Sequence, residues 1–347
     1  MSHVPKRLPL IAAAAIVAVA LLTPGHAVAA KTLPGAVVGS GPAPLYDPNT
    51  GSSFRAASAA QADAVVAAYW TPERLASAKP VQLDEAAIKA AAAKAEVALS
   101  KPAKPLYGDA PAAPSIQTGD VGINVNFTHA AGKVFFRNPS DGGNYVCSGG
   151  TLNTPKQRIV ITAGHCVHGG SGQTWMQNWV FYPGYQNGEG AAGRFAAYTF
   201  WTTQGWTNNS NFSYDTAFVP THLNQYGQKV VARVGGNGII YDPGRPFVTS
   251  IGYPTHVGNG GQLQTFCQGT LSRRNVFNSD QQLNCNLRRG ASGSVWLKDY
   301  DTSFARLGWA VANYSYFFSN EDPSPAFGPY WDTWTKNVRD AAENSSP

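Results

Sequence analysis

Charge is what this sequence has least of. Only 13% of its 347 residues are Asp, Glu, Lys or Arg, and the formal net charge of +6 is not gathered into a run. Nucleic-acid binding calls for a basic stripe or patch, so it is excluded as a role. Long apolar stretches are missing beyond the first 25 residues, and none of them reaches the ~20 apolar residues that a membrane-spanning helix needs. Cysteine is scarce, four in all, and none precedes Cys147. Helical periodicity is sparse, and no segment repeats another. What the chain has instead is 36 Gly, 24 Pro, nine Trp and fifteen Tyr, a composition of turns and strands.

The one long apolar run stands at the start. Lys6 and Arg7 precede residues 10–22, and Ala27-Val28-Ala29 offers small side chains to a signal peptidase. Residues 1–29 therefore read as a secretory signal peptide cleaved near Ala29, too short in its apolar part for a bilayer anchor. The expected location is extracellular, with no membrane contact after removal of the leader. The even cysteine set, Cys147, Cys166, Cys267 and Cys285, fits two disulfides in that oxidising setting.

Residues 30–115 differ in texture from the remainder of the chain. They are rich in Ala and Pro, lack Cys, and hold one helical pattern at 84–99, opened by Asp84 and Glu85 and stopped by Pro102. The strings at 101–105 and 110–114 read as extended linker. This is the make-up of a pro-region, with a surface-tethering stalk as the alternative. From residue 116 short β-type runs alternate with turn signals. Strands are expected at 134–136, 158–162, 179–182, 216–219, 247–251 and 294–297, and a helix at 331–342. Many short strands and few helices make an all-β sandwich or barrel.

Three stretches carry chemistry. The β-branched run Ile159-Val160-Ile161 ends at Thr162-Ala163-Gly164, three small residues, and then presents His165 with Cys166 behind it. Imidazole is the side chain suited to move a proton near neutral pH. Asp215, in Ser213-Tyr214-Asp215-Thr216-Ala217, stands at a strand start, where a carboxylate can orient the histidine. Asp242, before Pro243-Gly244, is a turn residue. Ser292, in Arg289-Gly290-Ala291-Ser292-Gly293-Ser294, is ringed by small residues, so an acyl group can approach it. The amides of Gly290 and Ser292 are the natural oxyanion donors. The order His, Asp, Ser excludes an α/β-hydrolase, which runs Ser, Asp, His and sets its serine in G-x-S-x-G, where Ser294 breaks the pattern. His165 and His168 are three apart, but no acidic ligand completes a zinc site, and no metal or cofactor is expected.

With T-A-G-H-C, Y-D-T-A and the serine loop in hand, residues 121–341 resemble the chymotrypsin-like serine peptidases, closest to secreted actinobacterial-type members on the glutamyl-endopeptidase side. Gly132-Lys133-Val134, Tyr145-Val146-Cys147-Ser148-Gly149 and Ile251-Gly252-Tyr253-Pro254 match as well. The resemblance implies two six-stranded antiparallel β-barrels with a C-terminal helix, an active site between them, and disulfides Cys147–Cys166 and Cys267–Cys285. It implies a monomeric endopeptidase acting on proteins or peptides through Ser292, His165 and Asp215. The rival reading is a catalytically silent homologue whose cleft serves as a binding module.

The sequence departs from the family pattern in three places. Ala291 stands where trypsins carry the acid that pairs with a freed N-terminus, so the oxyanion loop must be ordered otherwise, through Cys267–Cys285 and the packing of Val295 and Trp296. Gly293-Ser294-Val295 replaces G-G-P. At the places where glutamate-specific relatives carry pocket Thr or Ser and His, this chain offers Leu287 and Asn313, so an uncharged primary residue is expected. Arg288 and Arg289 flank the loop, Arg289 as a candidate contact for substrate. The Tyr314-Ser315-Tyr316-Phe317-Phe318 run is a candidate cleft wall.

Overall fold

The computed structural model describes residue 1 and residues 36–94, 104–115, 127–188, 190, 192–275, 278–301, 306–318 and 325–347. The expected signal peptide, residues 95–103 of the expected helix and linker, and residues 116–126 lie outside the described residues. The chain divides into residues 1–32 and a unit Leu33–Pro347, which holds every strand and helix of the described residues.

The N-terminal segment of that unit contains strands β1 (Val38–Pro42), β2 (Leu45–Asp47) and β3 (Ser52–Phe54), then helices α1 (Ala59–Tyr69) and α2 (Pro72–Ser77). Strand β4 (Lys79–Pro80), helix α3 (Glu85–Lys94) and strand β5 (Leu106–Tyr107) complete it. Ser58 caps α1 by accepting from the Gln61 amide at 3.1 Å, and Thr71 caps α2 ahead of Pro72, both ordinary helix-start chemistry.

The first large sheet adds β6 (Ala131–Arg137), β7 (Asn144–Leu152), β8 (Ile159–Thr162), β9 (Gln177–Pro183), β10 (Phe195–Ala196), β11 (Thr199–Thr203) and β12 (Ala217–Pro220). Its order is β1-β11-β12-β8-β7-β6-β9-β10, with β4 on β7. The second contains β13 (Gly238–Tyr241), β14 (Phe247–Gly252), β15 (Thr265–Thr270), β18 (Val295–Asp301) and β19 (Leu307–Asn313), in the order β15-β14-β18-β19-β13-β5. A three-stranded sheet of β16 (Ser272–Asn275), β17 (Asn278–Leu283) and β20 (Ala326–Gly328) stands beside it.

Each expected strand is present, because buried β-branched and aromatic side chains fill the sheet interiors: Val134, Val160, Phe181, Val219 in one cluster and Val248, Leu283, Trp296, Val311 in another. Between the sheets Ile161, Phe218, Val295 and Leu297 pack with Trp334 and Val338 of the C-terminal helix Thr333–Ser345. The architecture is the two-barrel one with a terminal helix.

The N-terminal segment holds strands beyond its one expected helix, and Ala112 of the expected linker 110–114 is paired as well. Its strands complete both large sheets: β1 pairs with β11, β4 with β7, and β5 with β13. Trp70 packs on Phe135 with ring centroids 5.5 Å apart, and its indole donates to the Asn178 carbonyl at 2.7 Å. Ala112 exchanges backbone bonds with Gly236, 2.9 Å each way. Pro-rich composition describes how a free chain would behave, but a strand at a sheet edge needs few ladder donors, so such a segment can still pair.

Candidate active site

Strand β8 delivers His165 into a single turn, Gly164–Cys166. The glycine there is required by space, since a Cβ on Gly164 would lie 2.8 Å from Asp215 Oδ1. Asp215 follows the turn Phe212–Tyr214, which Asn211 caps. The carboxylate is fully buried and engaged on both oxygens. Oδ1 accepts from the His165 backbone amide at 2.7 Å; Oδ2 accepts from His165 Nδ1 at 2.7 Å and from the Ser315 hydroxyl. With Nδ1 fixed as the donor, the other ring nitrogen carries the lone pair. Nε2 is buried and has no partner among the described residues.

Ser292 sits on the loop between Leu287 and β18, 7% exposed. It is held against the histidine strand pair: its carbonyl accepts from the Ser148 amide at 2.7 Å and lies 3.9 Å from the sulfur of Cys166, the residue after His165. The three residues are thus gathered at the junction of the sheets, with Cys147 joined to Cys166 beneath the histidine turn. Cys267 is joined to Cys285, and there is no free cysteine.

No family model matches the chain, and no curated protein matches it. Solved structures do. A thermostable serine protease, AL20, from an extremophilic microorganism is 30% identical over 63% of this chain and 99% of its own, with a TM-score of 0.58. The protease Anisep from Arthrobacter nicotinovorans is 31% identical over 63% of this chain and 98% of its own, with a TM-score of 0.57. The chain belongs to the chymotrypsin-like serine peptidases. A Glu endopeptidase shares the fold at 17% identity, covering 69% of this chain and 99% of that one, with a TM-score of 0.51.

Beyond these three residues the peptidase contains groups whose contacts the sequence did not announce. Ser315, expected only within a run that forms a cleft wall, donates its hydroxyl to Asp215. Asn313, read from sequence as a pocket residue, lies behind the aspartate: its Nδ2 donates to the Asp215 carbonyl at 3.0 Å and its Oδ1 accepts from Thr216 Oγ1 at 2.6 Å. Leu287 is buried among Ala291, Trp296, Ala312 and Tyr314 beneath the serine loop. Burial raises the Tyr314 phenol above its ordinary value. Arg289 is exposed, and its carbonyl, not its charge, makes the loop's contacts.

A second group of aromatics flanks the histidine. Trp206 meets the His165 ring edge-on at 6.1 Å and packs with Phe212, Tyr316, Phe318 and Phe327. The Tyr316 hydroxyl donates to buried Asp280 at 2.6 Å and accepts from Arg274 at 2.6 Å. Desolvation lifts the Asp280 carboxyl above the usual range. On the far side of the serine loop, Lys133 donates to the Gly261 carbonyl at 2.8 Å, and burial pushes its ammonium down to about 8. The cluster Cys147, His165 and Cys166 is close enough for a metal, but both cysteines are spent in the disulfide.

Proposed function

We propose that the protein is a secreted serine endopeptidase made as a pre-pro-protein. The observation that carries the reading is the buried Asp215 carboxylate on His165 Nδ1, with Nε2 unengaged and Ser292 on the adjoining loop. Ser292 Oγ attacks the scissile carbonyl carbon while His165 Nε2 takes its proton, and Asp215 stabilises the imidazolium. The tetrahedral oxyanion lies against the amides of Gly290 and Ser292. His165 then gives its proton to the departing amide nitrogen and the C–N bond breaks, leaving the acyl group on Ser292. Water, deprotonated by the same histidine, releases it. The reaction needs no metal or cofactor.

Residues 1–29 are the leader and residues 30–115 the pro-region, which covers the site. Strand β4 lies on Tyr145 and Val146, immediately before Cys147. Val81 packs against the core cluster that includes Cys166 and Val167, while Leu83 and buried Ile88 enter the aromatic cluster next to Trp206. Residues 79–88 thus join the two clusters that hold Cys166, next in sequence to His165, and Trp206, whose ring meets the histidine.

The test is fluorophosphonate labelling of the secreted protein followed by peptide mapping. The label is expected on the peptide containing Ser292. Ser292→Ala is expected to lose the label and about 10⁶-fold in turnover of casein. Labelling elsewhere, or activity surviving in the variant, would remove the assignment.

A further inference from the structure

We infer that Ser148 and Thr255 are positioning residues that preform the oxyanion site, replacing the buried ion pair that Ala291 makes impossible. The inference rests on the reading of Ser292 as nucleophile.

Every carbonyl from 288 to 292 is engaged. Arg288 O accepts from the Ala291 amide at 3.2 Å and Ala291 O from the Ser294 amide at 2.8 Å, both within the loop. The other three are held from outside. Arg289 O accepts from the Thr255 amide at 2.8 Å and the Thr255 hydroxyl at 3.3 Å. Gly290 O accepts from the Ser148 hydroxyl at 2.9 Å, and Ser292 O from the Ser148 amide at 2.7 Å. The Ser148 hydroxyl is itself fixed, because it accepts from the Tyr253 amide at 2.9 Å.

A trans peptide is planar, with C=O and the next N–H pointing in opposite directions. Holding Arg289 O on Thr255 therefore turns the Gly290 N–H the other way, and holding Ala291 O on Ser294 turns the Ser292 N–H likewise. From 290 to 294, these two amides make no hydrogen bond among the described residues, whereas those of Ala291, Gly293 and Ser294 all do. Two unengaged donors flank the nucleophile, as the oxyanion needs. The conformation is demanding. Gly290 has φ +90°, and a Cβ there would lie 2.5 Å from Tyr253 O; Arg288 has φ +47°, a left-handed value that neighbouring bonds must enforce. In a loop without a salt bridge at its base, Thr255 fixes the peptide of the Gly290 donor, and Ser148, on Gly290 O and Ser292 O, fixes the peptides on either side of the one that carries the Ser292 donor. The disulfide Cys267–Cys285 and buried Val295 and Trp296 brace the strands on either side but bond to none of these carbonyls.

The experiment compares Ser148→Ala, Thr255→Pro and Ser292→Ala in the secreted product of the full chain. Ser148→Ala removes the hydroxyl clamp. Thr255→Pro removes both the amide and the hydroxyl donor to Arg289 O at a half-buried turn outside the core, so it stays informative if the core variant fails to fold. Each positioning variant is expected to lower kcat ~10- to 100-fold with KM within about twofold, a fraction of the 10²–10³ seen when an oxyanion donor is deleted. Affinity for a peptide aldehyde, which becomes tetrahedral on Ser292, should fall by the same factor, while affinity for the corresponding peptide acid stays constant. Wild-type kcat in a folded variant, or parallel loss of both ligands, overturns the inference. An inactive Ser292→Ala beside unimpaired positioning variants refutes the clamp alone; an active Ser292→Ala refutes the nucleophile and the clamp with it.

Discussion

With residues 79–88 in the covering role proposed above, replacing Ile88 with aspartate should open the site without cutting the chain. Ile88 is 1% exposed and is the one fully buried apolar side chain of α3 among its described residues; Ala86, Ala87 and Ala90 face solvent, and the ammonium of exposed Lys89 lies 5.8 Å from the Phe318 ring. Its contacts are the aromatic cluster of Trp206, Phe212, Tyr316, Phe318 and Phe327, with Leu83 as a half-buried neighbour. Burying an isoleucine side chain is worth about 1.5–3 kcal/mol, and Ile88→Asp forfeits this gain and sets a carboxylate against apolar walls. A loss of ~3 kcal/mol in docking corresponds to about a hundredfold rise in the fraction of molecules with the helix undocked. The assay is the rate at which a fluorophosphonate labels Ser292, with mass spectrometry showing that residues 36–115 are still attached. The rate should rise about a hundredfold, provided that undocking limits access and the rest of the fold stays intact. Ala87→Gln, a change on the exposed face, should leave the rate within about twofold. Equal rates for Ile88→Asp and wild type would refute the reasoning, because the helix would then not be what covers the serine.

Asp215→Asn should keep the fold and lower kcat about 10⁴-fold, since the amide no longer fixes the histidine tautomer; a loss of under tenfold in steady-state kinetics would contradict the role given to Asp215. Acid should weaken the fold through His168 and His222, both of which burial pushes down to about 4. Both stay neutral when folded, while the unfolded chain takes up their protons near 6.5, so their contribution is complete above that value and is lost as pH falls toward 4. With solvent screening near the surface, each is worth about 1–2 kcal/mol over that window. Urea midpoints at pH 7 and 4.5 should differ accordingly, and a flat profile would reject this. Replacing Cys147 and Cys166 together with serine should cost about 3 kcal/mol for a loop of this length, read as a fall in Tm of roughly 6–12 °C. An unchanged Tm would show that the bridge adds nothing to the folded state.

Much of the barrel framework was legible because burial on sheet faces leaves β-branched and aromatic runs between turn residues, as at 159–162 and 179–182. His165, Asp215 and Ser292 stood out for a related reason: a side chain that must meet substrate at a strand end needs small neighbours, and Ala163, Gly164, Gly290 and Gly293 are local in sequence. Ser148, Thr255 and Ser315 were not legible. The hydrogen bonds that give them these places reach groups 34 to 144 residues away, and such bonds leave no period or spacing. The neighbours of Asn313 in sequence likewise did not reveal that its amide faces Asp215 and Thr216. The N-terminal segment was legible as a composition and one helix, but its strands were hidden. Val38-Gly39-Ser40-Gly41-Pro42 has little strand character, and it pairs because β11 offers a free edge.

The two outermost strands supplied by that segment have a consequence for how the molecule behaves in crowded solution. Strand β1 ends one sheet and β5 ends the other, so the residues made first by the ribosome close the edges of strands completed much later, Val38 on Thr203 and Leu106 on Tyr241. An uncapped edge is a template on which a second copy can add its own strand. While the segment is attached, β11 and β13 present no such template. If the segment is cut away as proposed, both edges are bared at once, and association that depends on concentration is then expected to begin with processing.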